Sequence, residues 1–341
     1  MREWMNVRRL TIRTGWILAL AALLALTACA EENSVSFFAM DTFMTIRADG
    51  ASDALLDACV DRVNGLERAL SVTDPDSEIA ALNRGGRAEL SDETAFLVRF
   101  ALDMSRKTGG ALDVTLYPIV HAWGFTTGEY RVPDDAEIAA LLERTGWRRV
   151  ALTGNEARLE DGMMIDLGAI AKGYASQAAA NLLRAGGVAT GLIDFGGNIY
   201  AIGAKEDGSA WRVGIRDPEN LEDYCAVIAV KDRAAVTSGS YERYFEQDGV
   251  RYGHIFDPAT GRPAQSGLES VTVIGTDGAL CDALSTALFV MGPERACSWL
   301  ADQRDVEAVL IGERFWVTEG LKDSFAPYGA YAGKGVEWIP Q

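Results

Sequence analysis

The segment Ile165–Ala204, IDLGAIAKGYASQAAANLLRAGGVATGLIDFGGNIYAIGA, constrains the fold more than any other part of the chain. A short apolar run, Met163–Ile165, reads as a strand leading into Asp166 and Gly168. A helix with small residues on most of its faces follows, from about Ala169 to Arg184. Gly186-Gly187 stop that helix, a second strand runs to Asp194, and Gly196-Gly197 open a tight turn into a third. Helix N-termini carry unpaired N–H groups, and glycine admits a ligand close to the backbone, so this is a floor suited to an anionic ligand. Lys172, placed in the first helical turn, opposes the helix dipole unless an anion lies near, and Asp166 is the internal candidate. Any βαβ unit has glycines at its corners, so the segment alone leaves the ligand open. It holds neither GxxxxGK[ST] nor GxGxxG, which disfavours a P-loop and a dinucleotide-binding Rossmann site.

On either side of this segment, helices and strands mix without a regular βαβ rhythm, which predicts an α+β fold. Ser34–Ala48 alternates as a strand with an irregularity near Ala39. Ser52, Ser77, Ser91 and Asp134 each precede a helical pattern as caps. Gly110–Thr115 reads as a strand start, Trp147–Asp166 as short strands, and Arg251–Asp257 as a strand ending at the Pro258–Gly261 turn. Asp277–Phe289 and Pro293–Ala301 read as two helices, followed by strands at Val306–Ile311 and Phe315–Thr318.

Net charge is −17, and the first 28 residues are basic, so the remainder is more acidic still. That balance argues against nucleic acid as a partner and requires a phosphorylated ligand to be held by local donors or metal ions. Arg2, Arg8, Arg9 and Arg13 precede the apolar run Trp16–Leu26 and then Leu26-Thr27-Ala28-Cys29. This order of basic segment, short apolar run and small residues is a secretory signal over residues 1–28. Its ending resembles a bacterial lipobox, which makes Cys29 the lipidated first residue of an exported, membrane-anchored protein. Residues 29–34 then form a tether. Cys59, Cys225, Cys281 and Cys297 show no metal-ligand spacing and read as structural thiols.

Asp282 and Thr286, four apart, share one helical face with Ser285 between them. One carboxylate and two hydroxyls suit magnesium beside a phosphate, and the competing reading is a solvated face whose hydroxyls bond back to their helix. The chain has two histidines. His254 fits a general base or a phosphate-side donor, or else a strand histidine bonded to a neighbouring carbonyl. His121, among aromatics, reads as structural.

Taken in order, these motifs resemble the ApbE family of flavin transferases, which move FMN from FAD onto a Ser or Thr of a target protein. The resemblance rests on Met40-Asp41-Thr42, Pro75–Glu78, Gly110–Thr115, Ile165–Tyr174 and Asp194–Asn198. It continues through Ser238–Ser240, His254–Pro258 with Thr260-Gly261, and Asp282–Ala287. It implies a transferase domain over residues 35–330 and a tail over 331–341. Within the domain, FAD would lie between a larger core of mixed sheets with packed helices and a smaller subdomain. Magnesium would be held by the Ala169 carbonyl, Asp282 and Thr286. Met40, Thr73, Ala111, Leu112, Asp113, Asp166, Lys172 and Ile255 would line FAD, and His254 would take the proton of the target hydroxyl. Ser285 stands where some members carry a carboxylate, and Thr73 where an aromatic often stacks. The partner implied is an exported flavoprotein subunit bearing the acceptor Ser or Thr. Two other functions fit the same residues: a magnesium-dependent FAD pyrophosphate hydrolase giving FMN and AMP, and a non-catalytic FAD-binding lipoprotein.

Overall fold

A computed structural model describes residues 32–341. The proposed signal and Cys29 lie outside the described residues. A nine-stranded sheet forms the centre. Across it run Glu32–Ala39, Thr42–Asp49, Gly191–Phe195, Asn198–Ile202, Ala234–Gly239, Ser270–Gly275, Val306–Ile311, Phe315–Thr318 and Val336–Ile339. Neighbours are antiparallel except the last pair, which is parallel. Three helices, Asp53–Leu70, Gly168–Ala185 and Gly278–Ala301, cover one face and share its main apolar core. The other face packs on a three-stranded sheet built from Trp211–Arg216, Tyr224–Val230 and Phe325–Pro327 through a second apolar cluster that includes Ile228, Val309 and Phe315. A third, smaller cluster joins Ile119, Trp123, Phe125 and Ile138 to Phe245 and Phe256. It supports a subdomain made of the segment after Val114 and two small hairpins.

The caps sit where the sequence places them. The side chains of Ser52, Ser77, Ser91 and Asp134 each accept from an N–H in the first turn of the following helix, which satisfies donors the helix cannot pair internally. The predicted irregularity near Ala39 is a hairpin turn, with both Met40 and Asp41 at positive φ (48° and 61°). Gly292, at φ 75° and ψ 172°, breaks the C-terminal helix ahead of Pro293, at the division expected between its two segments.

Several boundaries differ from expectation. The first strand starts at Glu32, so residues 32–34 belong to the sheet and not to a tether: their backbone groups pair with the Thr42–Asp49 strand. The segment 331–341 is no tail, because Val336–Ile339 pairs with Phe315–Thr318 and buries Ile339 at the sheet edge. Met163–Ile165 is extended without strand pairing; Asn83 brackets Ile165 through both amide groups instead. Gly110–Thr115 does not begin a strand. Asp113 caps a short 3-10 turn at Val114–Leu116, accepting from both the N–H and the hydroxyl of Thr115. His254 falls between two strands, Val250–Gly253 and Phe256–Asp257, where the chain leaves one hairpin for the next.

Candidate active site

The helices Gly168–Ala185 and Gly278–Ala301 cross at two glycines. A Cβ on Gly173 would meet the Gly278 carbonyl oxygen at 2.1 Å, and one on Gly278 would meet the Gly173 oxygen at 2.3 Å. Only glycine fits either position, and the close approach delivers Asp282 to the floor. The Asp282 carboxylate is 3 % exposed. Its Oδ2 accepts from the Gly173 N–H at 2.8 Å and from Asn198 Nδ2 at 3.1 Å. Burial raises its pKa; Lys172 and those two donors oppose the rise. Such a buried carboxylate has one oxygen tied to protein donors and a second suited to a cation.

In a regular helix the Gly173 N–H belongs to the carbonyl four residues back, that of Ala169. A carbonyl oxygen has two lone pairs, so the Ala169 oxygen keeps acceptor capacity beyond that helix bond. Thr286 stands one turn beyond Asp282, with its hydroxyl 3.3 Å from Ser238 Oγ. Ser285 is committed elsewhere: fully buried, it donates to the Asp282 carbonyl at 2.8 Å and contacts Ser238 Oγ at 2.8 Å. Carbonyl, carboxylate and hydroxyl are hard oxygen donors that fit magnesium. Among the described residues no group of three His, Cys, Asp or Glu forms a self-sufficient metal cage. A cation here would therefore complete its shell with water and ligand oxygens, as magnesium usually does.

Asp166 lies at the entry of the Gly168–Ala185 helix, which starts one residue before its predicted start and leaves Lys172 just past the first turn. Asp166 Oδ1 accepts from the Gly168 N–H at 2.8 Å, and its own N–H donates to the Val114 carbonyl at 2.8 Å. That bond sets it against the Ala111–Asp113 loop. Enclosure raises its pKa, opposed by the Gly168 N–H and the charges of Lys172 and Arg243. The carboxylate of Asp113 is occupied within the fold, by Thr115 and by the Trp147 N–H at 3.1 Å. Asp113 thus shapes the loop. Thr73 is exposed on a loop joined to this wall by Tyr117, whose hydroxyl donates to the Val72 carbonyl.

His254 closes the site from the subdomain. Its N–H donates to the Arg243 carbonyl at 3.1 Å, and its ring Nδ1 lies 3.2 Å from the same oxygen. A carbonyl only accepts, so Nδ1 carries the proton and Nε2 is bare. Desolvation, then the positive charges of Arg243 and Lys172, lower the pKa from the usual 6.5 to about 4. The ring is therefore neutral at pH 7. Ile255, 7 % exposed, follows it, with its carbonyl bonded to the Ala264 N–H. Met40 sits on the hairpin turn opposite, its N–H donating to Glu67 Oε1 at 2.7 Å.

The structure adds Glu242, which no motif singled out. Its carboxylate lies over Gly197, where a Cβ would approach Oε1 to 3.6 Å. Its side chain has solvent access, yet crowding by protein, opposed by Lys172 and reinforced by the negative charge of Asp282, brings its pKa up to about 7. Only its place two residues after Ser240, in the turn leaving the Ala234–Gly239 strand, hinted at it. His121 is peripheral, bonded to Thr126. The four cysteines in the described residues are free, and burial raises the pKa of each.

Core and subdomain together define a two-part α+β protein in which the charge of Lys172 acts on both the buried Asp282 carboxylate and the neutral His254 ring. Residues 40–310 match the family described as ApbE. The chain is 38 % identical to the FAD:protein FMN transferase of Treponema pallidum over 279 residues, 75 % of this chain and 77 % of that one. It is 34 % identical to the FAD:protein FMN transferase of Vibrio cholerae over 334 residues, 92 % and 98 % of the two chains. The crystal structure of the ApbE protein from Thermotoga maritima superposes with a TM-score of 0.81 at 32 % identity, covering 86 % of this chain and 99 % of that one. The chain belongs to the ApbE family, and its α+β architecture is that of the family.

Proposed function

We infer that this protein transfers FMN from FAD to a Ser or Thr hydroxyl of a target protein and releases AMP. The observation that carries the reading is the state of His254: neutral, Nδ1 held by the Arg243 carbonyl and Nε2 bare, electrostatically coupled to Lys172 at the other wall. The relatives named FAD:protein FMN transferase support it over most of the chain. In the reaction the target oxygen attacks the FMN phosphorus as its proton passes to His254 Nε2, and the bond from phosphorus to the bridging oxygen breaks to leave AMP. Lys172 offsets pyrophosphate charge. Asp282, Thr286 and the Ala169 carbonyl would hold magnesium, which when bound neutralises charge on the pyrophosphate and the departing AMP. Met40, Thr73, Ala111, Leu112, Asp113, Asp166 and Ile255 would line FAD and orient it.

The test mixes the protein with FAD, magnesium and a peptide bearing one threonine, and follows the peptide mass. An FMN-sized adduct supports transfer. Free FMN and AMP without adduct identify the hydrolase, and unchanged FAD identifies a binding protein. Asp282→Asn keeps an acceptor for the Gly173 N–H but removes the charge. It should raise the magnesium concentration for half-maximal transfer by about 10- to 100-fold, read also as a weaker magnesium-induced rise in melting temperature.

We propose further that the protein is exported and lipid-anchored through Cys29, and that its acceptor is an exported flavoprotein subunit. The supporting feature is the basic, apolar, small-residue order ending at Leu26–Cys29. Cys29→Ser should abolish incorporation of labelled palmitate and move the protein out of the membrane fraction. Unchanged fractionation would refute the anchor.

A further inference from the structure

The first hairpin turns through two successive non-glycine residues at positive φ, Met40 and Asp41, between the paired residues Ala39 and Thr42. A two-residue turn with this twist is normally filled by Asn-Gly or Asp-Gly. Methionine gains nothing locally from it, and such backbone persists only where its surroundings hold it. Here the surroundings do. Glu67 accepts the Met40 N–H at 2.7 Å, and the Asp41 carboxylate lies 2.9 Å from Arg243 Nη2. The same guanidinium donates to the Phe125 carbonyl at 3.1 Å. Arg243 is thereby tied to the main sheet on one side and to the subdomain on the other. Its carbonyl extends the ladder of the Tyr244–Gln247 and Val250–Gly253 hairpin by one step and receives both the backbone N–H and the ring Nδ1–H of His254.

We propose that Asp41 and Arg243 are positioning residues for His254: the strained turn holds the Arg243 guanidinium, and the Arg243 carbonyl holds the imidazole with Nδ1 protonated and Nε2 bare. The role of His254 as base rests on the transferase reading; the hold on its ring does not. The ion pair is exposed, with side chains 46 % and 66 % accessible, and pairs of that kind add little to stability. Its value is geometric, and removing it spares the fold. The charged groups facing the ring are Arg243 and Lys172. Asp41 faces Arg243, and Asp166 faces both cations.

The chain has two histidines, so ¹⁵N-histidine NMR of the intact, ligand-free protein resolves His254 once His121→Asn assigns the other. The parent should show one tautomer, Nδ1–H, titrating well below 6.5. Arg243→Met removes a nearby positive charge, so the pKa should rise by roughly one unit and the Nε2–H tautomer should appear. Arg243→Lys keeps the charge and should hold the pKa low. Asp41→Ala should mix the tautomers without raising the pKa. Transfer by Arg243→Met and Asp41→Ala should fall about tenfold in kcat with the Kd for FAD unchanged. A single Nδ1–H tautomer with the parent pKa in both variants overturns the proposal, as does a loss confined to FAD affinity. Should the NMR pattern change while the parent transfers no FMN, the transferase reading fails and the positioning role stands.

Discussion

His254→Ala should lower FMN transfer by about 10²- to 10⁴-fold, the range contributed by a positioned general base, while FAD still binds. The separation follows from geometry. The His254 backbone N–H bonds to Arg243 whatever the side chain, so the hairpin end survives truncation. Asp166, Lys172 and the Ala111–Asp113 loop belong to the opposite wall and do not depend on the ring. The parent pKa of about 4 in the free protein gives the loss a pH signature. A depressed histidine is deprotonated throughout the range above its folded value, so the ligand-free base stays competent well below pH 6.5. Bound pyrophosphate, being anionic, raises that value toward the ordinary one. Transfer at saturating FAD should therefore lose rate at higher pH than the free-protein titration indicates. Equal single-turnover rates for parent and variant at pH 7, with FAD bound to both, would exclude His254 as the base.

Gly173→Ala should destabilise the protein by about 3 kcal/mol, at the upper end of overpacking costs, and disable the site as well. The new methyl would lie 2.1 Å from the Gly278 oxygen and 2.7 Å from Asp282 Cβ. Backbone cannot step aside as a flexible side chain can, so the two helices must part. Their separation pulls Asp282 from the Gly173 N–H and from Asn198, leaving buried polar groups without partners. Thermal unfolding measures the first effect, and the magnesium dependence of the melting temperature measures the second. Gly109→Ala provides a control, since a Cβ there meets nothing within 4 Å and only its φ of 65° disfavours the change. A melting temperature for Gly173→Ala equal to that of Gly109→Ala would refute the crossing argument.

Much of the fold was legible because its signals are local. Serine and aspartate caps, apolar periodicity and glycine punctuation depend on neighbours within a few residues, and the helices begin where those signals lie. The misread segments are those where distant partners decide. Met163–Ile165 is apolar like a buried strand, but its backbone is met by Asn83 and not by a neighbouring strand. Gly110–Thr115 has strand-like residues, yet Asp113 bonds back to Thr115 and winds the chain into a turn. Val336–Ile339 is too short to announce itself and becomes a strand only because Phe315–Thr318 offers an edge.

The same division runs through the cleft. The amino-acid order alone determined the α+β class, the separate segments that carry Asp166, Lys172, His254 and Asp282, and the family those segments resemble. The tertiary structure decided what each side chain does. Gly173 and Asp282 are 109 residues apart, and only the glycine crossing ties one carboxylate oxygen to that N–H. His254 has its Nδ1 proton because Arg243 presents a carbonyl from the facing strand. The Asp113 carboxylate bonds to Thr115 and to the Trp147 N–H, and Glu242, which no motif marks, lies over Gly197. Spacing along a chain sets which element a residue belongs to. Hydrogen-bond state, charge and tautomer are set by whatever packing brings within about 3 Å, and that is a property of the folded chain.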